Sequence, residues 1–107
     1  MSNLQDSVLF TPYRLGQVTL RNRTIRSAAF ESMGKDFSPT QQLKDYHVAV
    51  ARGGVGMTTL AYAAVCRSGL SFNKQLWLRP SIVPGLREIT DAIHREGAAA
   101  AIQIGHC

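Results

Sequence analysis

Hydrophobic and polar positions alternate along the first part of the chain, which is typical of short strands. Val18 and Leu20 stand between polar neighbours and follow a turn at Gly16-Gln17, so residues 9–25 predict strands around a turn. A second extended piece is predicted at residues 23–30. The next stretch, residues 33–39, is rich in turn formers and predicts a loop.

The pattern then changes to the spacing of a helix. Ser38 is placed to cap it, with Pro39 at the first helical position and Gln41 completing a capping box. Gly53-Gly54 supplies the stop. The apolar or aromatic positions recur at intervals of three and four residues, at Leu43, Tyr46, His47, Val50 and Ala51.

Two strands and a second helix are predicted in the second half of the chain. Residues 55–65 are apolar without a helical period, which favours a buried strand of a parallel sheet covered on both faces. A long loop should run from Cys66 to about Pro80, followed by a helix over 83–96 and a strand over 98–105. The inner stripe of that helix is expected to contain Leu86, Ile89 and Ile93, and the pattern leaves His94 open between this stripe and the surface.

The predicted order of hairpin, strand, helix, strand, helix, strand is typical of α/β proteins with right-handed βαβ units. An open doubly wound sheet and a (β/α)8 barrel both fit this order. No G-x-G-x-x-G motif follows a strand, so the dinucleotide-binding form of the open sheet loses its main support. A barrel needs roughly 200–250 residues, so a chain of 107 residues supplies only its first part.

Charge and composition argue against nucleic-acid binding, a metal site and a membrane-spanning helix. The net charge is +5, but the basic residues are scattered, which argues against nucleic-acid binding. The two cysteines, Cys66 and Cys107, lack metal-ligand spacing, and we expect no metal site. The polar N-terminus lacks an apolar signal core, and no apolar stretch reaches the ~18–20 residues of a membrane helix. We therefore expect a cytoplasmic protein that does not bind membranes.

Candidate chemistry is expected at the carboxyl ends of the strands, where βα barrels bind ligands. The ends of the first two strands carry small residues that leave room for a flat ligand. At the third, the Gln103 amide offers both donors and an acceptor, so it can bind a ring edge with N–H and C=O groups, as a flavin has. The alternative is that Gln103 bonds neighbouring backbone.

Other polar side chains carry weaker signals. His106 fits either a supporting hydrogen bond or a role as ligand or acid/base, whereas His47 and His94 on helices suit packing or surface positions. Cys66 has no evident activating partner and is read as an inert thiol. Arg26, in a buried strand, needs a carboxylate partner, and Glu31 and a residue outside these 107 are equal candidates. These residues assemble no nucleophile triad or carboxylate pair.

Three motifs are specific when taken together: L-x-N-R at Leu20–Arg23, GGVG at Gly53–Gly56 and PGL-x5-AIH-x2-G at Pro84–Gly97. With further blocks that include IQIGHC at the end of the chain, they resemble the Old Yellow Enzyme family of FMN-dependent NAD(P)H oxidoreductases. The resemblance implies that residues 1–107 are the N-terminal part of a single FMN-binding TIM-barrel domain, truncated after its third strand. Residues 8–20 would be the hairpin that closes the barrel bottom.

The resemblance also implies a flavin site and a reaction. The FMN-binding residues would be Ser27, Ala28, Ala29, Phe30, Tyr62 and Gln103. Relatives often carry Pro-Met and then Thr or Cys where this chain has Ala28, Ala29 and Phe30. NADH or NADPH would reduce the flavin, which would pass hydride to an activated alkene, enone or enoyl-type, or a related acceptor. The small-molecule substrate is not specified, and a homo-oligomer stays open.

The catalytic residues are expected beyond Cys107, so the 107 residues alone should be inactive. The alternatives are a flavin-free barrel lyase, against which Gln103 argues, and a non-catalytic βα module completed by a partner chain.

Overall fold

A computed structural model describes residues 6–106, and residues 1–5 and Cys107 lie outside the described part. After a 3-10 turn, the chain forms strands and helices in the predicted alternation. The elements are β1 Tyr13–Leu15, β2 Val18–Leu20, β3 Ile25–Arg26, α1 Gln41–Arg52, β4 Met57–Ala64, β5 Leu76–Trp77, α2 Val83–Arg95 and β6 Ala99–Ile104. The predicted hairpin is confirmed: β1 and β2 pair antiparallel, and Gly16 adopts the left-handed backbone conformation of the turn.

The main sheet is parallel, as predicted. β3 pairs with one edge of β4 and β6 with the other, so that Met57 is aligned with both Ile25 and Ala99. Within residues 6–106, the two helices cover one face of this sheet. The predicted buried strand is confirmed, since six of the eight residues of β4 are buried, whereas Ile25 in β3 remains 50% exposed.

The core lies between that sheet and both helices. It consists of Leu43, Ala51, Leu60, Ala63, Leu76, Ile89, Ile93 and Ala98. Leu60 and Ala63 both belong to it although strict alternation would place them on opposite faces. The register of β4 against β6 shifts between these two residues, and this irregularity leaves Tyr62 outside the core cluster. Bulges of this kind re-aim side chains beside functional sites.

Two local predictions were wrong. Thr40, not Ser38, caps α1, since its hydroxyl accepts the Leu43 N–H at 3.1 Å. Ser38 instead accepts a hydrogen bond from Arg79 at 2.9 Å. The predicted long loop contains β5, which pairs with the end of β4. The polar sequence of the loop did not indicate this pairing. His94 is exposed, which is the surface position of the two alternatives left open for it.

L-x-N-R, GGVG and the last residues of the motif over 84–97 meet at the amino ends of the parallel strands. Arg21 donates hydrogen bonds to three main-chain carbonyls, those of Ala51, Val55 and Glu96. Asn22 donates to the Gly54 carbonyl at 2.7 Å. A Cβ on Gly56 would come within 2.5 Å of the Asn22 carbonyl oxygen, so glycine is required there. These residues therefore join the helix ends to the strand following the hairpin, and their role is structural.

Candidate functional site

The predicted site residues all lie at the carboxyl end of the parallel sheet, opposite the structural motifs. Ser27, Ala28, Ala29 and Phe30 follow β3 directly, and three of these four are exposed, Ala28 being half-buried. Tyr62 lies in β4 and Gln103 in β6. The parallel pairing of β3, β4 and β6 brings these three strand ends to one side of the molecule.

Gln103 faces away from the helices. Its neighbours in β6, Ile102 and Ala100, pack toward the core, so Gln103 projects from the opposite face, where the interior of a barrel would lie. Its side chain is exposed and makes no hydrogen bond within the described part of the chain. The alternative reading, in which Gln103 bonds neighbouring backbone, is therefore not what the structure shows, and its amide is available to a ligand.

Tyr62, in β4, contacts the segment that follows β6. A Cβ on Gly105 would lie 3.2 Å from the Tyr62 ring, so the absence of a side chain lets the chain after β6 approach the ring. The Tyr62 hydroxyl lies 2.8 Å from the Ser71 hydroxyl. This contact directs the polar end of Tyr62 toward the loop that follows β4.

A third aromatic residue joins two of the predicted site residues. The Phe72 ring centroid lies 4.8 Å from that of Phe30 and 5.7 Å from that of Tyr62. Both distances are typical of interacting aromatic pairs. Sequence reasoning missed Phe72, although a phenylalanine in the otherwise polar stretch around residues 71–75 was the available signal.

Glu31 anchors the end of β3 to β4 and α1. Its Oε1 accepts the Ala61 N–H at 3.1 Å, and its Oε2 lies 2.5 Å from Arg26 Nη1 and 2.7 Å from His47 Nε2. The predicted Arg26–Glu31 pair is thus confirmed. His47 is buried as a packing residue, with its Nδ1 2.8 Å from the Thr58 hydroxyl. His47 Nε2 makes no well-directed hydrogen bond among residues 6–106.

The pKa of Glu31 is set by opposing effects. Burial raises it, because the side chain is only 1% exposed and its charged form loses hydration. The neighbouring His47 ring, the Ala61 N–H and the Arg26 guanidinium lower it, and together they outweigh burial. The net pKa therefore lies below that of an ordinary glutamate, and Glu31 is a buried carboxylate at neutral pH.

This lowered pKa predicts an acid-sensitive contribution to stability. The contribution is fully present above the unfolded-state pKa of about 4.3 and is lost as the pH falls through the lower folded-state pKa, because the unfolded chain then binds the proton more tightly. In the complete protein, we expect the free energy of unfolding to fall more steeply below about pH 4 for wild type than for Glu31→Gln. Urea unfolding across this range measures both slopes, and parallel slopes would contradict the assignment.

The remaining candidates lie nearby without forming a second site. His106 is exposed, with its Nε2 3.4 Å from the Ser68 hydroxyl, and Cys66 Sγ lies 3.2 Å from the same hydroxyl. Among residues 6–106, no three His, Cys, Asp or Glu side chains are grouped as a metal ion would require. None of the helices in this range has the length and apolar character needed to cross a membrane.

Known proteins of similar sequence point to a flavin-dependent family, in agreement with the candidate flavin site. Residues 8–107 match the sequence profile of the NADH:flavin oxidoreductase / NADH oxidase family. A 4,4'-dithiodibutanoate disulfide reductase from Rhodococcus erythropolis is 47% identical over 99% of the chain, which spans 26% of that protein. A probable N-methylproline demethylase from Rhizobium meliloti is 46% identical over 96% of the chain, which spans 16% of it. The chain thus spans about a quarter or less of the length of these relatives.

The fold also matches solved structures. The crystal structure of Old Yellow Enzyme from Pichia sp. AKU4542 superposes with a TM-score of 0.87 at 16% identity, covering 97% of this chain and 28% of that one. This confirms the predicted fold class, the N-terminal portion of a (β/α)8 barrel. The family match likewise confirms FMN as the cofactor expected at the family level, and the description of the family names NADH.

Proposed function

The chain belongs to the NADH:flavin oxidoreductase / NADH oxidase family, and on this premise we propose that it forms the first part of one FMN-binding barrel domain in a cytoplasmic NAD(P)H oxidoreductase. FMN, when bound, supplies the transfer of a hydride from NADH or NADPH to a small-molecule acceptor. The observation that supports the proposal is the Gln103 amide at the end of β6, which is exposed and has no hydrogen-bond partner among residues 6–106.

The described residues fit a flavin. Ser27, Ala28 and Ala29 present small side chains at the end of β3, so a flat ring can approach the backbone there. Gln103, two strands away, offers a donor and an acceptor to a ring edge. Buried ligands are bound by such mixed surfaces, mostly apolar with a few directed polar groups. The role of these residues is to bind and orient the ring.

We expect Gln103→Ala to weaken FMN binding by the complete protein. Without the Gln103 amide, polar groups of the ring edge stay unpaired in a buried site, which weakens the binding free energy by about 1–3 kcal/mol. This corresponds to a roughly 5- to 150-fold loss of affinity. Fluorescence titration of the apoprotein with FMN measures the change.

Gln42→Ala is the matched control, because Gln42 is an exposed glutamine of α1, on the other side of the sheet. Its FMN affinity should equal that of wild type. If Gln103→Ala also binds FMN as wild type does, Gln103 does not belong to the site.

Two acceptor classes follow from different observations. The family resemblance favours an activated alkene, which gains two hydrogens across its C=C bond. The 47% identity to a protein named for disulfide reduction favours a disulfide, which is cleaved to two thiols. Each reaction consumes one NAD(P)H. Anaerobic assays therefore distinguish the two classes by comparing the amount of NAD(P)H oxidised with the amounts of reduced alkene and of free thiol that form.

The non-flavin alternatives have a direct test. The complete protein, purified from cells, should release FMN on denaturation in about equimolar amount. A lyase of the same fold, or a βα module that serves only to complete a partner chain, would release none.

A further inference from the structure

Ser71, in the loop after β4, is held by two hydrogen bonds to a buried glutamine. Gln75 Oε1 accepts the Ser71 N–H at 2.8 Å and the Ser71 hydroxyl at 3.2 Å, and Gln75 is only 1% exposed. The main-chain N–H fixes the orientation of the Gln75 amide, because only the amide oxygen can accept a hydrogen bond from it. The position of the Ser71 hydroxyl is therefore set from the interior of the fold.

The bond to Gln75 also determines which hydroxyl is the donor between Ser71 and Tyr62. The two hydroxyl oxygens lie 2.8 Å apart. A hydroxyl carries one proton, and the proton of Ser71 is directed to Gln75 Oε1. The Ser71 oxygen is left to accept, so the Tyr62 hydroxyl donates to Ser71.

The Tyr62 side chain is thus held at its hydroxyl and along its ring. A Cβ on Gly105 would lie 3.2 Å from the ring, so the chain after β6 packs directly against it. The Phe72 ring contacts it at a centroid distance of 5.7 Å and an interplanar angle of 62°. All of these contacts are formed within residues 6–106. A side chain that is already ordered loses less conformational entropy when a ligand binds against it.

We infer that Ser71 is a positioning residue: by accepting the Tyr62 proton it fixes the Tyr62 ring for contact with the flavin before FMN binds, and Gln75 holds Ser71 in place for this role. This inference rests on the proposed function, with Tyr62 among the FMN-binding residues. It adds two residues to the expected FMN-binding set, and it assigns the Tyr62 hydroxyl as a donor to the protein rather than to the acceptor substrate.

The test uses the complete protein with the variants Ser71→Ala and Tyr62→Phe and the double variant. Both single substitutions remove the same hydrogen bond, and Tyr62→Phe keeps the ring. Fluorescence titration of each apoprotein should show about two- to tenfold weaker FMN binding for either single variant, because the ring must then be ordered on binding. The double variant should bind no more weakly than the weaker single variant, since substitutions that remove one shared interaction are not additive.

Visible circular dichroism of the bound flavin adds a signature of the ring's surroundings. Ser71→Ala and Tyr62→Phe should change this spectrum in the same direction, and Ser71→Thr, which keeps the hydroxyl, should retain the wild-type affinity and spectrum. Ser68→Ala is the matched control, because Ser68 is a serine of the same loop whose hydroxyl contacts Cys66 and His106 instead. It should bind FMN as wild type does.

Four results would overturn the inference: wild-type FMN binding by Ser71→Ala, wild-type binding by Tyr62→Phe, additive losses in the double variant, or a Ser71→Thr variant as weak as Ser71→Ala. The FMN content of wild type is measured separately. Wild type without FMN refutes the proposed function, whereas wild type with FMN and any of these four results refutes only the role of Ser71.

Discussion

Replacing Glu31 by alanine is expected to destabilise the complete protein by about 3–5 kcal/mol. The substitution leaves Arg26 and the fully buried His47 without their carboxylate, and it leaves the Ala61 N–H without its acceptor. Removing one member of a buried charged network costs more than the network contributes, because the remaining groups stay desolvated. Urea unfolding monitored by circular dichroism measures the difference.

Glu88 provides the matched control. It also pairs with a basic residue, Lys44 at 2.9 Å, but its side chain is 61% exposed. Exposed ion pairs contribute about 0–1 kcal/mol, so Glu88→Ala should unfold close to wild type. If Glu31→Ala and Glu88→Ala had equal effects, the Glu31 network would not be an important stabilising feature.

Glu31→Ala should also affect the site. Glu31 directly follows Phe30, and its acceptor bond goes to the residue before Tyr62, so the carboxylate fixes two site residues relative to each other. We expect the FMN affinity of folded Glu31→Ala to fall, and Glu31→Gln, which keeps an oxygen for the Ala61 N–H, to retain more of it.

A polypeptide of residues 1–107 expressed alone is expected to aggregate or remain without fixed packing, and to bind no FMN. One face of its sheet is uncovered, and apolar side chains that would pack in a complete barrel are exposed to water. Ile25 is 50% exposed and Ile104 is 58% exposed. The outer edge of β6 would also present unpaired N–H and C=O groups that promote association. Conformational entropy opposes folding by ~1–2 kcal/mol per residue, and half a core is insufficient to offset it.

Size-exclusion chromatography, thermal unfolding and FMN titration test this, with the complete protein as the positive control. A soluble monomer of 1–107 with a cooperative thermal transition and micromolar FMN affinity would contradict the prediction. That result would establish the chain as a self-sufficient flavin-binding domain.

The outcome for Gln103 shows how far pattern reasoning reaches into the site. Its position on the face opposite the helices follows from strict alternation in β6, where Ala100 and Ile102 pack on the core. Alternation fails in β4, because the register shift between Leu60 and Ala63 depends on pairing with a strand about 40 residues later. Tyr62 was therefore placed at the correct strand end, but its contacts could not be derived.

Residue pattern alone was sufficient to predict the order of strands and helices, the parallel sheet, and the strand ends at which the candidate site residues lie. These features follow from local periodicity, from glycines at helix ends and from the handedness of βαβ units. Only the tertiary structure decided that Phe72 contacts Phe30, 42 positions away, and that Glu31 binds the Ala61 N–H, 30 positions away. Such contacts depend on how loops pack after the sheet has formed, and residue spacing along the chain carries no information about that geometry.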